Sequence, residues 1–335
     1  MKQEEDSVRR TPALISAVAA TVLVAATLAG CSSSGSASGC SPVYSAGDAS
    51  KIVTATGKIG GTPKATFPTP IVAPEPQVSV LKEGHGAVAQ RGSQVDFTFT
   101  IFDGKTGDEL GNQAYRTAAG YKISHLTSAL SRSLECTSAG ERFVLTGKAG
   151  TIFGKGALSS SSVSDSENLV VVSDVTGVYL GKANGANQLP KDGMPNVITA
   201  VSGQPGIVIQ ELDKPTTVRS EVVKAGGGKV VKRNDKVVLH VTAFTWPSAS
   251  GDKPTVVSAI DTWANNQAAT LKMESLAKGG SLPDAVIDAL VGQKIGSQVL
   301  VVTPPKDGFE ASALPTGVTA KDTVIFVVDL LGIDD

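Results

Sequence analysis

At 335 residues and a formal net charge of −1, the chain is long enough for two domains and too nearly neutral to hold nucleic acid without a local basic patch. The nearest such run, KVVKRNDK at 229–236, reads as a solvated strand edge and turn. Aromatics make up 4% of residues while Gly, Val, Thr and Ser are plentiful, the composition of an ordinary soluble protein built from strands and loops rather than helical bundles.

The chain opens with a targeting segment, 1–30, which is set aside from the fold. Arg9 and Arg10 precede an Ala-rich apolar run, 12–28, too short for a spanning helix, and the run ends Leu28-Ala29-Gly30-Cys31. That tetrapeptide resembles a bacterial lipobox, in which the Cys31 sulfur receives a diacylglycerol and the chain is cut just before it. The other reading is an ordinary secretory signal with an incidental Cys. Ser32-Ser33-Ser34-Gly35 favours the lipid anchor, which needs a flexible tether, and 31–50 is read as that tether. Thr11-Pro12 does not continue a twin-arginine motif. With Cys31 lipidated, Cys40 and Cys136 are left in an oxidising compartment. A disulfide between them is the preferred reading, two unrelated thiols the alternative. His85, His125 and His240 lack carboxylates or thiols at ligand spacing, so neither metal nor cofactor is expected.

Two copies of one unit follow. Val95, Phe97, Thr100 and Phe102 return as Val237, Leu239, Thr242 and Phe244, and Pro63 as Pro205, all 142 residues on. Leu134, Gly140 and Phe153 return as Leu290, Gly296 and Phe309, here 156 residues on. The second copy therefore carries about 14 more residues between Phe244 and Leu282, expected in the Pro-, Ser- and Gly-rich stretch 247–255. The first copy is taken as 51–182, the second as 196–335, and the polar, breaker-rich 183–195 as the linker.

In the first copy 94–102 alternates, with Val95, Phe97, Phe99 and Ile101 on one face; 236–244 does so less cleanly. A Ser-rich tract at 159–166 reads as an inserted loop. In the second copy Ser281 is the expected N-cap of a short helix. Pro283 lies in its first turn, and Leu282, Ala285, Val286, Ala289 and Leu290 form its apolar face. Residues 298–303 form a β-branched strand stopped by Pro304-Pro305. Residues 324–328 are apolar without alternation, so this strand is read as buried on both faces or central in its sheet. Several strands, one short helix and two more strands make each copy an antiparallel β-sheet wrapped around a short α-helix, an α+β class.

The series Leu290, Gly292-Gln293-Lys294, Gly296-Ser297, Pro304-Pro305, Gly308-Phe309, Val318, Asp322-Thr323 and Phe326 resembles, in order and spacing, the C-terminal half of FKBP-type peptidyl-prolyl isomerases. The resemblance implies two tandem FKBP-like domains, in the manner of an actinobacterial-type lipoprotein. In the second copy it implies a cleft with Ile260 and Asp261 on the strand after the insertion and Leu282 just before the helix. Phe309 and Val318 would lie in the long loop and Phe326 in the last strand. Asp261 would be the one carboxylate beside a twisted amide carbonyl, Leu282 would offer its backbone amide, and Phe309 would hold the proline ring. Proline-containing unfolded or extended polypeptides are the implied partners, macrolides such as rapamycin the implied small ligands, and no cofactor is required.

Three cleft positions depart from that pattern: Val241 stands in place of a Tyr, Val286 or Ala285 in place of a Trp, and Ile260 in place of a Phe. Each lost aromatic forfeits about 0.5–1.5 kcal/mol beyond its area. The first copy keeps Phe99 and Phe153-Gly154 but has Leu110-Gly111, Leu130 and Val171 at the other positions, and is read as a structural or binding module.

Taken singly, Phe309 and Phe326 are better read as core aromatics, Asp261 as a turn or cap residue and Trp263 as a surface-anchored side chain. Their joint spacing favours the cleft. Two functions stay open: a prolyl isomerase lipid-anchored at the outer face of the cytoplasmic membrane, acting on exported proteins, and a non-catalytic tethered chaperone or scaffold. A solute-binding lipoprotein would need two larger α/β lobes. No G-x-S-x-G elbow, dinucleotide-binding glycine motif or phosphate-binding loop is present.

Overall fold

The computed structural model describes residues 40–119, 128–159, 163–209, 211–248 and 252–334. The targeting segment, Cys31, the tether as far as residue 39 and His125 lie outside the described residues. No helix among the described residues is long and apolar enough to cross a membrane.

The first copy runs α1 (Asp48–Lys51), β1 (Thr54–Thr56), β2 (Lys64–Thr66), β3 (Gln77–Lys82), β4 (Gln94–Asp103), β5 (Glu109–Ala118), α2 (Ala129–Ser133), β6 (Arg142–Lys148), α3 (Ala149–Ile152) and β7 (Asn168–Tyr179). After β8 (Ala186–Asn187), the second runs β9 (Asn196–Thr199), β10 (Pro205–Val208), β11 (Arg219–Ala225), β12 (Lys236–Thr245), β13 (Thr255–Val256), β14 (Ala269–Lys272), α4 (Asp284–Leu290), β15 (Gln298–Thr303) and β16 (Val324–Ile333). The first sheet is ordered β3-β6-β7-β4-β5 and the second β8-β11-β15-β16-β12-β13, with β14 also paired to β12; every pairing is antiparallel. Apart from β8, the two orders correspond strand for strand. Each copy adds a small ribbon, β1-β2 or β9-β10. The chain is α+β, with an antiparallel sheet packed on a short helix in each copy.

Alternation explains β4. Val95, Phe97 and Phe99 face α2, packing with Leu130 and Leu134, while Phe102 packs with Val144 and Val172 in the cluster on the ribbon side. The second-copy counterpart, β12, alternates poorly because both its faces are covered. Val237, Leu239 and Val241 face α4, Phe244 lies on the ribbon side, and Val238 and His240 face the first copy. β16 is flanked by β12 and β15 and is buried from Val324 to Leu331, which is why its sequence carries no alternation.

Two local expectations are corrected. The residue preceding α4 is Pro283, not Ser281, and it makes no side-chain cap hydrogen bond; the inward face is Val286, Ile287 and Leu290. Ile287 joins the buried stripe, Ala289 packs at its edge and Ala285 is half-buried. The inserted residues are also not confined to 247–255. The first copy has a continuous β5, whereas the second breaks the equivalent strand into β13 and β14 and loops out 257–268 between them. That loop carries Ile260, Asp261 and Trp263.

The segment just after Cys40, read above as the end of a tether, is bound to the first sheet. Cys40 and Cys136 are disulfide-bonded. The Val78 N–H donates to the Ser45 carbonyl, and Ala49 and Ser50 of α1 are buried against β3. The bridge closes a sequence separation of 96 residues. Replacing both cysteines by serine is therefore expected to cost about 2–4 kcal/mol through the unfolded chain. Urea denaturation of the two proteins checks this, and equal midpoints would mean that noncovalent contacts alone hold the arm.

The linker is likewise docked. β8 pairs with β11, and the Ala183 N–H donates to Asp329 Oδ2 at 2.8 Å, while Gln298 Nε2 donates to Asp329 Oδ1 at 2.7 Å. Burial pushes the Asp329 carboxyl up from its ordinary value. In the first copy the buried polar pair is different: Arg142 donates to Asp174 through Nε (2.6 Å) and Nη2 (2.7 Å), and also to the Gly57 and Lys58 carbonyls of the ribbon turn. The Gly60 N–H completes the set on Asp174.

Candidate functional site

The residues expected to line the second-copy cleft gather around β12, β16 and α4. Val241, Leu282, Val286 and Phe326 form a closed aliphatic and aromatic floor, Phe326 being 0% exposed. Pro304 ends β15, a 3-10 turn at Pro305–Asp307 follows, and Gly308 leads into Phe309. The Phe309 ring lies 5.9 Å from the Phe326 ring, the planes inclined at 53°. Ile260, Phe309 and Val318 are half-buried on the same cluster. Five of the six residues expected to line a cleft are thus gathered around one apolar core.

Asp261 sits at its margin, tied to it through Ile260. Its Oδ1 accepts from Thr242 Oγ1 (3.0 Å) and from the Trp263 N–H (3.1 Å). Alternation along β12 puts Thr242 on the face opposite Val241, so this carboxylate oxygen is turned to the sheet edge and away from the floor. The Val241 side chain offers that oxygen no donor; the Thr242 hydroxyl does.

The first copy has the other half of the arrangement. Phe153, counterpart of Phe309, packs on Phe99 of β4 at 5.8 Å, and Phe99 stacks at 5.6 Å on Phe97, which meets Tyr115 edge-on. Strand register puts Val171 opposite Leu145 as Phe326 stands opposite Val301, so Val171 and Phe326 occupy equivalent places. Each loop phenylalanine therefore keeps one strand aromatic beneath it, taken from β4 in the first copy and from β16 in the second. Leu110 points outward on the continuous β5 at 45% exposure, and the first cleft has no wall loop corresponding to 257–268.

Sequence reasoning missed the junction between the copies. His240, on β12, is buried and stacks on Trp263 at 3.9 Å; Gly203, at φ +106°, brings the β9-β10 turn against the same indole. The His240 Nε2 faces a donor, Gln94 Nε2, at 3.4 Å, so the ring proton sits on Nδ1 and is donated to Thr262 Oγ1 at 2.8 Å. Burial pushes the His240 pKa down to about 3. Arg91 and Lys182 line the small cavity of about 280 Å³ beside it, and no carboxylate does. His240 therefore contributes stability that is complete above its unfolded value of 6.5 and is lost as pH falls towards 3. Compared with His240→Gln, the wild-type advantage in unfolding free energy is expected to shrink by ~1.4 kcal/mol per pH unit across that window. Glu141, pushed up to about 7 by burial, acts in the opposite sense in both proteins and cancels in the difference. A difference that stays flat from neutral pH down to 4 would contradict the assignment.

A cavity of about 480 Å³ lies at the β8, β9 and β11 edge, lined by polar groups such as Asn187, Glu221 and Lys224; neither it nor the junction cavity reaches Asp261 or Phe309. Among the described residues no group of three or more His, Cys, Asp or Glu side chains is placed to hold a metal ion.

No family model and no curated protein matches the chain. Among solved structures it is similar to the three FKBP domains of wheat FKBP73, at 18% identity over 77% of this chain and 94% of that one, with a TM-score of 0.32. It is also similar to the N-terminal domain of FKBP42 from Arabidopsis thaliana (18% identity, 35% and 97% covered, TM-score 0.29). A third is FkpA from Escherichia coli (20% identity, 43% and 53% covered, TM-score 0.28). All three are FKBP-type proteins; the strand pairings of this chain give each copy an antiparallel sheet on a short helix.

Proposed function

We propose that the chain is a peptidyl-prolyl cis-trans isomerase whose working cleft is in the second copy. The observation that carries this reading is the Phe309–Phe326 ring pair set over a wholly apolar floor with Ile260 and Val318 at its rim. An X-Pro bond turns slowly because amide resonance sets a barrier of roughly 18–20 kcal/mol. Neither nucleophile nor metal is needed to lower it. An apolar cleft that strips water from the carbonyl weakens the charge-separated resonance form, and a shape that fits the twisted amide better than either planar isomer does the rest. Phe309 receives the proline ring, Leu282 offers its backbone N–H, and Asp261 supplies charge from the margin. The clients are proline-containing unfolded or extended segments of exported proteins, met by a protein held at the outer face of the membrane through a lipid on Cys31. Macrolides would compete for the same floor.

The turn of Asp261 Oδ1 towards Thr242 favours a second reading, a tethered module that grips proline segments without catalysis. Exchange spectroscopy on a proline peptide separates the two. Acceleration by the full chain supports the isomerase; peptide binding with an unchanged exchange rate supports the binding module and removes the enzyme.

A further inference from the structure

We propose that Gln94, in the first copy, is a positioning residue for the wall of the second-copy cleft. The inference rests on that cleft being the working one. Gln94 opens β4 and is 1% exposed. Its side chain crosses to the other copy, where Oε1 accepts from the Ala268 N–H (3.1 Å) and Nε2 donates to the Asn266 carbonyl (3.1 Å). The amide thus satisfies one backbone donor and one backbone acceptor at the end of the 257–268 loop, as a neighbouring strand would. Asn266 itself is in the left-handed region at φ +50°, which asparagine adopts readily.

From there the bonds run towards the cleft. Gln94 Nε2 meets His240, His240 holds Thr262, and Thr262 Oγ1 accepts from the Val241 N–H at 3.0 Å. Trp263, stacked on His240, donates its N–H to Asp261. Arg116 of β5 adds a second grip, bonding Thr270 while its carbonyl accepts from Gln267. The loop that replaces part of the continuous β5 of the first copy bonds to β12 through the Val257 and Thr262 N–H groups, which donate to the Ala243 and Val241 carbonyls, while its far end, 266–268, is held from the first copy by Gln94 and Arg116. The first copy thus anchors one end of the other copy's wall.

The test is amide hydrogen exchange on the full chain and its Gln94→Ala and Gln94→Glu variants, with isomerase kinetics alongside. In Gln94→Ala, exchange at Ala268 rises because its partner is gone. Positioning requires that exchange at Ile260 and Trp263, which Gln94 does not touch, also rise by about tenfold while β16 stays protected. Gln94→Glu keeps the acceptor for Ala268 but not the donor, and an intermediate rise is expected; it also reports if the alanine variant fails to fold. A rise confined to Ala268 overturns the proposal. If the wild type isomerises, kcat should fall about tenfold in Gln94→Ala with KM little changed, as misplacement of a wall demands; unchanged kcat with a loosened loop overturns it too. If the wild type does not isomerise, the exchange result still decides the positioning, and the failure belongs to the functional reading alone.

Discussion

Arg142→Ala is expected to lose about 3–5 kcal/mol of stability, the largest effect of any single substitution considered for this chain. The side chains of Arg142 and Asp174 are 4% and 1% exposed, so removal of the guanidinium strands a carboxylate where water cannot reach it. It also frees the Gly57 and Lys58 carbonyls that the arginine ties down, and with them the β1-β2 ribbon that covers Val144, Val170 and Val172. Part of the loss should return when the acid is removed as well, in Arg142→Met with Asp174→Leu, since a buried ion pair is worth far less than the cost of breaking it one-sidedly. The double variant will not reach wild type, because the Gly60 N–H then lacks its acceptor. Urea midpoints of the three proteins decide this; an alanine variant within 1 kcal/mol of wild type would show that the pair is solvated in solution.

The second large effect is on activity. Phe309→Ala removes the ring that meets Phe326 and opens the floor to water, and is expected to lower kcat/KM by about ten- to a hundredfold. Asp261→Ala should cost less, about tenfold or below, because Oδ1 is already engaged by Thr242 and Trp263 at the sheet edge. The order of the two effects separates a desolvating cleft from one that depends on a carboxylate. Phe153→Ala in the first copy should leave kcat/KM unchanged, since that ring belongs to the other aromatic group.

The repeat and the strands were legible because both follow from local pattern. Val95, Phe97 and Phe99 alternate, β16 is apolar from Val324 to Val328 because both its faces are covered, and offsets of 142 and 156 residues tie β4 to β12 and β6 to β15. The loop phenylalanine was legible through its distance from Phe326. What escaped the sequence depends on contacts across the repeat. Which strand supplies the partner ring, Phe99 or Phe326, is a matter of register between strands far apart in the chain. His240 looked isolated because its partners are Gln94 from the first copy and Trp263 from a loop that no periodicity announces. The division of the insertion was hidden for the same reason: 257–268 takes the place of part of a strand, and its far end is held by Gln94 and Arg116 of the first copy. The helix begins after Pro283 rather than after Ser281, and Asp284 in its first turn accepts from the Leu276 N–H.

The most direct measurement is the exchange rate between cis and trans proline in a short peptide, with the full chain and its Phe309→Ala variant added at equal concentration. The cleft described above predicts acceleration by the wild type that is largely lost in the variant. Equal acceleration by both proteins would place the activity elsewhere in the chain, and no acceleration by a folded wild type would leave a binding module in place of an enzyme.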